Sequence, residues 1–124
     1  MFNLFNAMKK SAPAVDAAEA VRAVTSGSAL LIDVREEAEL QSGRAKGAHH
    51  LPLSGLDQTA DPKSGQFDTR LAKARKAGQP IYLYCASGMR SGRAADFLRG
   101  HGFEAVHNLG SLQNWQSGGG EVLR

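Results

Sequence analysis

Apolar side chains follow two alternating patterns along this chain. Segment 15–24 carries them at helical spacing, so it is predicted to form a helix that ends near Gly27. Segment 29–34 is apolar at every position except Asp33, which is typical of a buried strand in a parallel sheet. An alternation of helical spacing with continuous apolar runs predicts an α/β fold.

The same two patterns continue to the end of the chain. A second buried strand is predicted at 80–84, directly before Cys85, and a helix at 90–100 follows it. The other predicted elements are helices at 36–41, 67–78 and 111–116, short strands at 47–52 and 105–107, and a loop at 53–65. We therefore expect a mostly parallel sheet of about five strands, with helices on both of its faces.

Two reactive side chains stand where predicted strands end. Asp33 closes the strand at 29–34, and Cys85 follows the strand at 80–84. In a parallel sheet the carboxyl ends of the strands meet at one edge, and ligands bind beyond that edge. This edge of the sheet is therefore the predicted functional site.

Composition and charge narrow the class of protein. The chain has 124 residues, of which 42% are hydrophobic and 22% charged, as in ordinary globular proteins. We expect one domain at 11–124, preceded by an N-terminal tail at 1–10. The net charge of +3 favours anionic partners. The basic residues are scattered and form no dense stripe, which argues against nucleic acid as the partner.

Cysteine usage and hydropathy narrow the compartment. One cysteine excludes an internal disulfide, and no Cys/His pair has zinc-ligand spacing, so no metal or cofactor is expected. No apolar stretch approaches the roughly 20 residues of a membrane span. The start, MFNLFNAMKK, lacks the pattern of a signal peptide. We expect a cytoplasmic monomer.

The segment CASGMR, residues 85–90, joins a predicted strand directly to a predicted helix. Amides at a helix start have no intrahelical partner, so they can donate to an anion. These amides and Arg90 are expected to lower the pKa of the Cys85 thiol and to favour its thiolate. Gly88 would let the amides approach closely, and Ser87 and Ser91 can donate further hydrogen bonds. The segment predicts a nucleophilic cysteine.

The stretch YCASGMRSGRAADFLRGHGF resembles the active-site loop and following helix of rhodanese-fold sulfurtransferases. The resemblance extends upstream to ALLIDVREEAELQSGRAKGAHHLPL and downstream to NLGSLQNWQSGG. These segments occur in the family's order and cover nearly the whole chain from about Val15 onward. One position departs from the family: Arg44 stands where many relatives carry histidine.

The resemblance implies a persulfide intermediate on Cys85. Its thiolate would attack the outer sulfur of thiosulfate or another persulfide donor, and then pass that sulfur to cyanide or a thiol. Asp33 and Arg35, in the family's D-x-R segment, are expected to organise the loop. The implied partners are a small anionic sulfur donor and a thiol or protein acceptor. The implied substrate-binding residues are Ala86, Ser87, Gly88, Met89, Arg90 and Ser91.

Two other functions remain open from the sequence. The first is the chemistry of phosphatases and arsenate reductases of this fold, whose loop has the pattern C-x5-R, with the arginine six residues after the cysteine. Here Ser91 occupies that position, and Arg90 falls one residue earlier. The shorter loop suits one sulfur atom, and it contains no acidic residue to protonate a leaving oxygen. The second alternative is a persulfide carrier or regulatory binding module for a dedicated partner.

Overall fold

A four-stranded parallel sheet forms the centre of the computed structural model, which describes residues 15–124. Its strands are β1 (Leu30–Asp33), β3 (His49–His50), β4 (Ile81–Cys85) and β5 (Val106–Ser111). They lie in the order β3-β1-β4-β5, and every neighbouring pair is parallel. The predicted tail at 1–10 and the first four residues of the predicted domain lie outside the described residues.

Helices and one small ribbon complete the fold. The α-helices are α1 (Ala17–Thr25), α2 (Leu56–Thr59), α3 (Thr69–Ala77), α4 (Met89–Arg99) and α5 (Leu112–Ser117). Two 3₁₀ helices occupy Glu37–Ser42 and Leu53–Gly55. Strands β2 (Arg44–Ala45) and β6 (Val122–Leu123) pair antiparallel as a separate ribbon.

Alternating side chains of the strands fill two separate cores, one on each face of the sheet. Leu83 and Cys85 of β4 point into the core that α4 covers, where they pack with Leu98. Tyr82 and Tyr84 point to the opposite face, which includes Trp115 of α5. This arrangement confirms the predicted α/β fold with helices on both faces.

The structure differs from the predicted elements in four respects. The segment 53–65, predicted as a loop, contains a 3₁₀ turn and α2, because Leu56 is buried in the core among polar neighbours. Strand β5 runs through Ser111, past the predicted end at 107, since pairing with β4 holds polar residues such as Asn108 in the ladder. The main sheet has four strands where about five were expected. The ribbon of β2 and β6 was not predicted, because two-residue strands leave no periodic pattern.

Buried polar groups join the two sheet strands to the ribbon. The Tyr84 hydroxyl donates to Asp33 Oδ2 at 2.7 Å and accepts from the Ala45 amide at 3.0 Å. Burial, together with the bond to Asp33, raises the pKa of Tyr84 well above its ordinary value. The phenol therefore stays protonated and acts as a permanent donor to the carboxylate.

We predict that Tyr84→Phe destabilises the fold, because it removes one donor to Asp33 and leaves the buried Ala45 amide unpaired. The free energy of unfolding should fall by about 1–3 kcal/mol. Urea unfolding followed by the fluorescence of Trp115 measures this. The matched control is Tyr82→Phe, on the same face, where Tyr82 is 7% exposed and its hydroxyl has no hydrogen-bond partner among residues 15–124. Equal losses in both variants would contradict the proposed role of the hydroxyl.

Candidate active site

Cys85 is the last residue of β4, and α4 begins only four residues later. Gly88 precedes the helix with a φ of 101°, in the left-handed region that favours glycine. A Cβ on Gly88 would lie 3.4 Å from the Gly110 Cα, so the loop passes in close contact with the end of β5. The loop can therefore turn tightly enough for the helix start to face the thiol.

Three donors converge on the Cys85 sulfur. The amide of Gly88 lies 3.0 Å from Sγ, and the amide and hydroxyl of Ser91 each lie 3.4 Å away. Two of these donors belong to the first turn of α4, where amides lack intrahelical partners. The structure thus brings the predicted Gly88 and Ser91 onto the thiol.

The pKa of the Cys85 thiol reflects two opposing effects. Burial raises it, because the side chain is fully buried and charge is costly there. Hydrogen bonds from the Ser91 hydroxyl and amide, and then from the Gly88 and Ser87 amides, lower it more. The pKa therefore lies below its ordinary value, which favours the thiolate.

The Ser91 hydroxyl has one proton and three acceptors within reach. Asn108 Oδ1 lies at 2.7 Å, while Cys85 Sγ and the Gly110 carbonyl oxygen each lie at 3.4 Å. The shortest contact directs the proton to Asn108. We expect the hydroxyl to turn towards sulfur when the thiol ionises, because a thiolate is a stronger acceptor than a neutral amide oxygen.

Asn108 of β5 ties the cysteine loop to the sheet, a role that was not predicted for it. Its Nδ2 donates to the Gly88 carbonyl at 3.0 Å, and its Oδ1 accepts from the Gly110 amide at 3.0 Å. With the bond from Ser91, the Asn108 side chain ties both donor residues of the cradle, which is the loop 85–91 around the Cys85 sulfur, to β5. The available signal was a polar amide just before Leu109 and Gly110, in the segment that resembles the family.

The Arg90 guanidinium is already bound by a carboxylate of the protein. Its Nη1 and Nη2 donate to Glu39 Oε2 and Oε1 at 2.7 and 2.8 Å, a bidentate pair. The hydrogen bond from Arg90 lowers the pKa of Glu39 to about 2. Arg90 was expected to lower the pKa of the thiol through its charge. The hydrogen bonds from Ser91 and Gly88 are instead the main interactions that lower this pKa.

Asp33 and Arg35 form a buried ion pair, with Arg35 Nη2 at 2.7 Å from Asp33 Oδ2. Arg35 also donates to the backbone carbonyls of Gly43 at 2.8 Å and Glu39 at 3.4 Å. The pair thus fixes the 3₁₀ helix 37–42, which carries the Glu39 side chain to Arg90. Its link to the cysteine loop therefore passes through Glu39 and Arg90.

A family model described as the Rhodanese-like domain matches residues 16–118. The chain belongs to the rhodanese-like family. Uncharacterized protein YqhL of Bacillus subtilis is 39% identical over 95 residues, which cover 76% of this chain and 64% of that protein. This chain therefore spans less than two thirds of that relative's length. The thiosulfate sulfurtransferase GlpE of Vibrio cholerae is 30% identical over 102 residues, which cover 82% of this chain and 83% of that protein.

Solved structures show the same fold. A Rhodopseudomonas palustris protein described as a possible tyrosine phosphatase superposes with a TM-score of 0.77. The match covers 95% of this chain and 89% of that one, at 24% identity. At this identity the likeness shows the rhodanese-like fold alone.

Three predicted substrate-binding residues of the cysteine loop are exposed to solvent. Ala86 and Ser87 face solvent, and the Met89 side chain is 70% exposed. Arg44, the departure from the family pattern, is exposed in β2 and pairs with Leu123 through the ribbon.

Within residues 15–124, no cluster of His, Cys, Asp and Glu could hold a metal ion. None of the helices in that range is long and apolar enough to cross a membrane.

We predict that Ser91→Ala raises the pKa of Cys85, because the thiolate loses its hydroxyl donor. Only the thiolate reacts with iodoacetamide, so the midpoint of the alkylation pH profile should move upward. The rate at neutral pH should fall by roughly threefold or more. Ser117→Ala, in α5, is the matched control, because among residues 15–124 the Ser117 hydroxyl bonds only the Asn114 carbonyl. An unchanged profile in Ser91→Ala would show that the hydroxyl does not stabilise the thiolate.

Proposed function

We propose that this protein is a sulfurtransferase in which the Cys85 thiolate accepts a sulfane sulfur and passes it on. The observation that carries the proposal is the convergence of the Gly88 amide and the Ser91 amide and hydroxyl on one buried sulfur. Membership of the rhodanese-like family supports it, as does the similarity to a thiosulfate sulfurtransferase. The free thiol suits a reducing compartment such as the cytoplasm.

Sulfur transfer needs two displacements. The thiolate attacks the outer sulfur of thiosulfate or another persulfide donor, the S–S bond of the donor breaks, and with thiosulfate the electron pair leaves on sulfite. The amides and hydroxyl that stabilise the thiolate then stabilise the Cys85 persulfide anion. Cyanide or a thiol attacks the terminal sulfur and releases the original thiolate. No general base is required once the thiol is ionised, and the lowered pKa of Cys85 favours that state.

The cradle favours sulfur over a phosphate ester. Position 91, six residues after Cys85, holds a serine whose hydroxyl oxygen lies 3.4 Å from Sγ. The guanidinium of Arg90 is held by both oxygens of Glu39 and is not free to clamp a tetrahedral oxyanion. The donors around Cys85 therefore favour charge on a sulfur atom over a bound tetrahedral oxyanion.

A persulfide carrier or regulatory module that serves a dedicated partner is the second candidate. One observation favours it: Met89, in the first turn after the cysteine loop, exposes 70% of its surface. An exposed methionine beside a reactive group can serve as an adaptable contact for another protein. A carrier would accept sulfur on Cys85 but release it slowly to cyanide.

We predict that the reduced protein gains one sulfur atom on incubation with thiosulfate, and that cyanide removes it. Cys85→Ser should abolish the gain completely, because the chain has no other cysteine. Intact-mass spectrometry before and after cyanide measures both steps. Ser117→Ala should load like the wild type.

Two results would separate the candidates. Rapid loading with slow release to cyanide would favour the carrier over the enzyme. The proposed sulfur transfer would be refuted if no persulfide donor modified Cys85 while the protein hydrolysed a phosphate ester.

A further inference from the structure

The pair of Glu39 and Arg90 lies beside the cysteine loop and has no role in the two displacements. Both carboxylate oxygens of Glu39 are bound by the two terminal nitrogens of Arg90. The two side chains are partly exposed, at 34% and 32% respectively. The cation nearest the nucleophile in sequence is therefore already neutralised, at a place that solvent and substrates can reach.

A second carboxylate stands next to this pair. The backbone amide of Glu36 donates to Glu39 Oε2 at 2.9 Å, which fixes the orientation of the Glu39 carboxylate. The Glu36 side chain is exposed, and it accepts a hydrogen bond from the Ser54 hydroxyl at 3.0 Å. Glu39 raises the pKa of Arg90 most, followed by the Cys85 thiolate and then Glu36, so both carboxylates and the nucleophile act on this guanidinium. The partly exposed surface beside the cysteine loop, called the rim below, thus carries two carboxylates, Glu39 and Glu36, for one cation, Arg90.

This charge arrangement matters for the sulfur donor. Thiosulfate brings two negative charges towards a thiolate, whereas the hydropersulfide group of a thiol persulfide brings one at most. Because Arg90 is already paired, it offers little attraction to balance the second charge of thiosulfate. The pKa of Glu39, at about 2, keeps this neutralisation in place throughout the physiological pH range.

We propose that Glu39, by holding Arg90, selects thiol persulfides over thiosulfate as sulfur donors. The inference rests on the proposed function of Cys85 and names its donor class. The Cys85 thiolate attacks the outer sulfur of R–S–SH, and the bond between the two donor sulfurs breaks. The electron pair leaves on R–S⁻, and the proton stays on the new Cys85 persulfide. Glu39 acts here as a positioning residue, because it reaches the donor only through Arg90.

The test is Glu39→Gln, which removes one negative charge and frees Arg90 from its ionic partner. The probes are thiosulfate and 2-hydroxyethyl persulfide, whose organic part is uncharged. We expect the second-order rate of Cys85 loading by thiosulfate to rise roughly tenfold, and the rate with the persulfide to change less than about twofold. The gain with thiosulfate should shrink as salt is added, because screening weakens the freed attraction.

The chain offers a matched control in Glu121→Gln. Glu121 also forms an ion pair, with Lys46 at 3.4 Å, but that pair lies on the ribbon of β2 and β6. Its loss should leave both loading rates unchanged. A rise with thiosulfate in both variants would indicate only a change in net charge and would overturn the inference.

Other outcomes are equally decisive. The inference fails if Glu39→Gln leaves the ratio of the two rates unchanged, or if both rates fall together while the alkylation profile of Cys85 shifts, which would mark Glu39 as a structural support. If the wild type takes sulfur from neither probe, the proposed function itself fails. Should Glu39→Gln not fold, Glu39→Asp decides, because its shorter side chain keeps the charge but weakens the bidentate hold on Arg90. A rise of roughly threefold with thiosulfate alone is then expected, and no rise overturns the inference.

Discussion

A buried carboxylate is the constraint on which this structure depends. Asp33 ends a central strand with almost no exposure to water, where an unpaired charge would be strongly destabilising. Arg35 neutralises it through its Nε and Nη2 groups, and the Tyr84 hydroxyl supplies a further donor. Two neighbouring strands and the segment that follows β1 are thereby held in one arrangement.

The remaining donors of Arg35 extend this constraint to the active site. A guanidinium held by Asp33 has a fixed plane, so its bonds to the Gly43 and Glu39 carbonyls set the position of the 3₁₀ helix 37–42. That helix presents the Glu39 side chain to Arg90 in the first turn of α4. The D-x-R segment therefore acts on the cysteine loop through one helix and one ion pair.

Local patterns in the sequence predicted the parts of the site that depend on neighbours along the chain. The strand before Cys85, the glycine turn and the helix after it are contiguous, so periodicity and spacing were sufficient to predict them. Glu39 could not be found this way, because it meets Arg90 across 51 residues and looks like any exposed acid in a short helix. Asn108 was missed for a related reason: its partners become neighbours only when β5 pairs with β4.

Different groups control the reactivity of Cys85 and the choice of its sulfur donor. Neutral donors, the amides and the Ser91 hydroxyl, stabilise charge on sulfur at contact distance. Charged groups, Arg90 with Glu39, lie on the partly exposed rim and act over a longer range. Substitution on the rim can therefore alter which donor is attracted without a matching loss of nucleophile strength. A cradle whose thiolate depended on Arg90 could not separate the two, because each change in donor charge would also change the pKa of its cysteine.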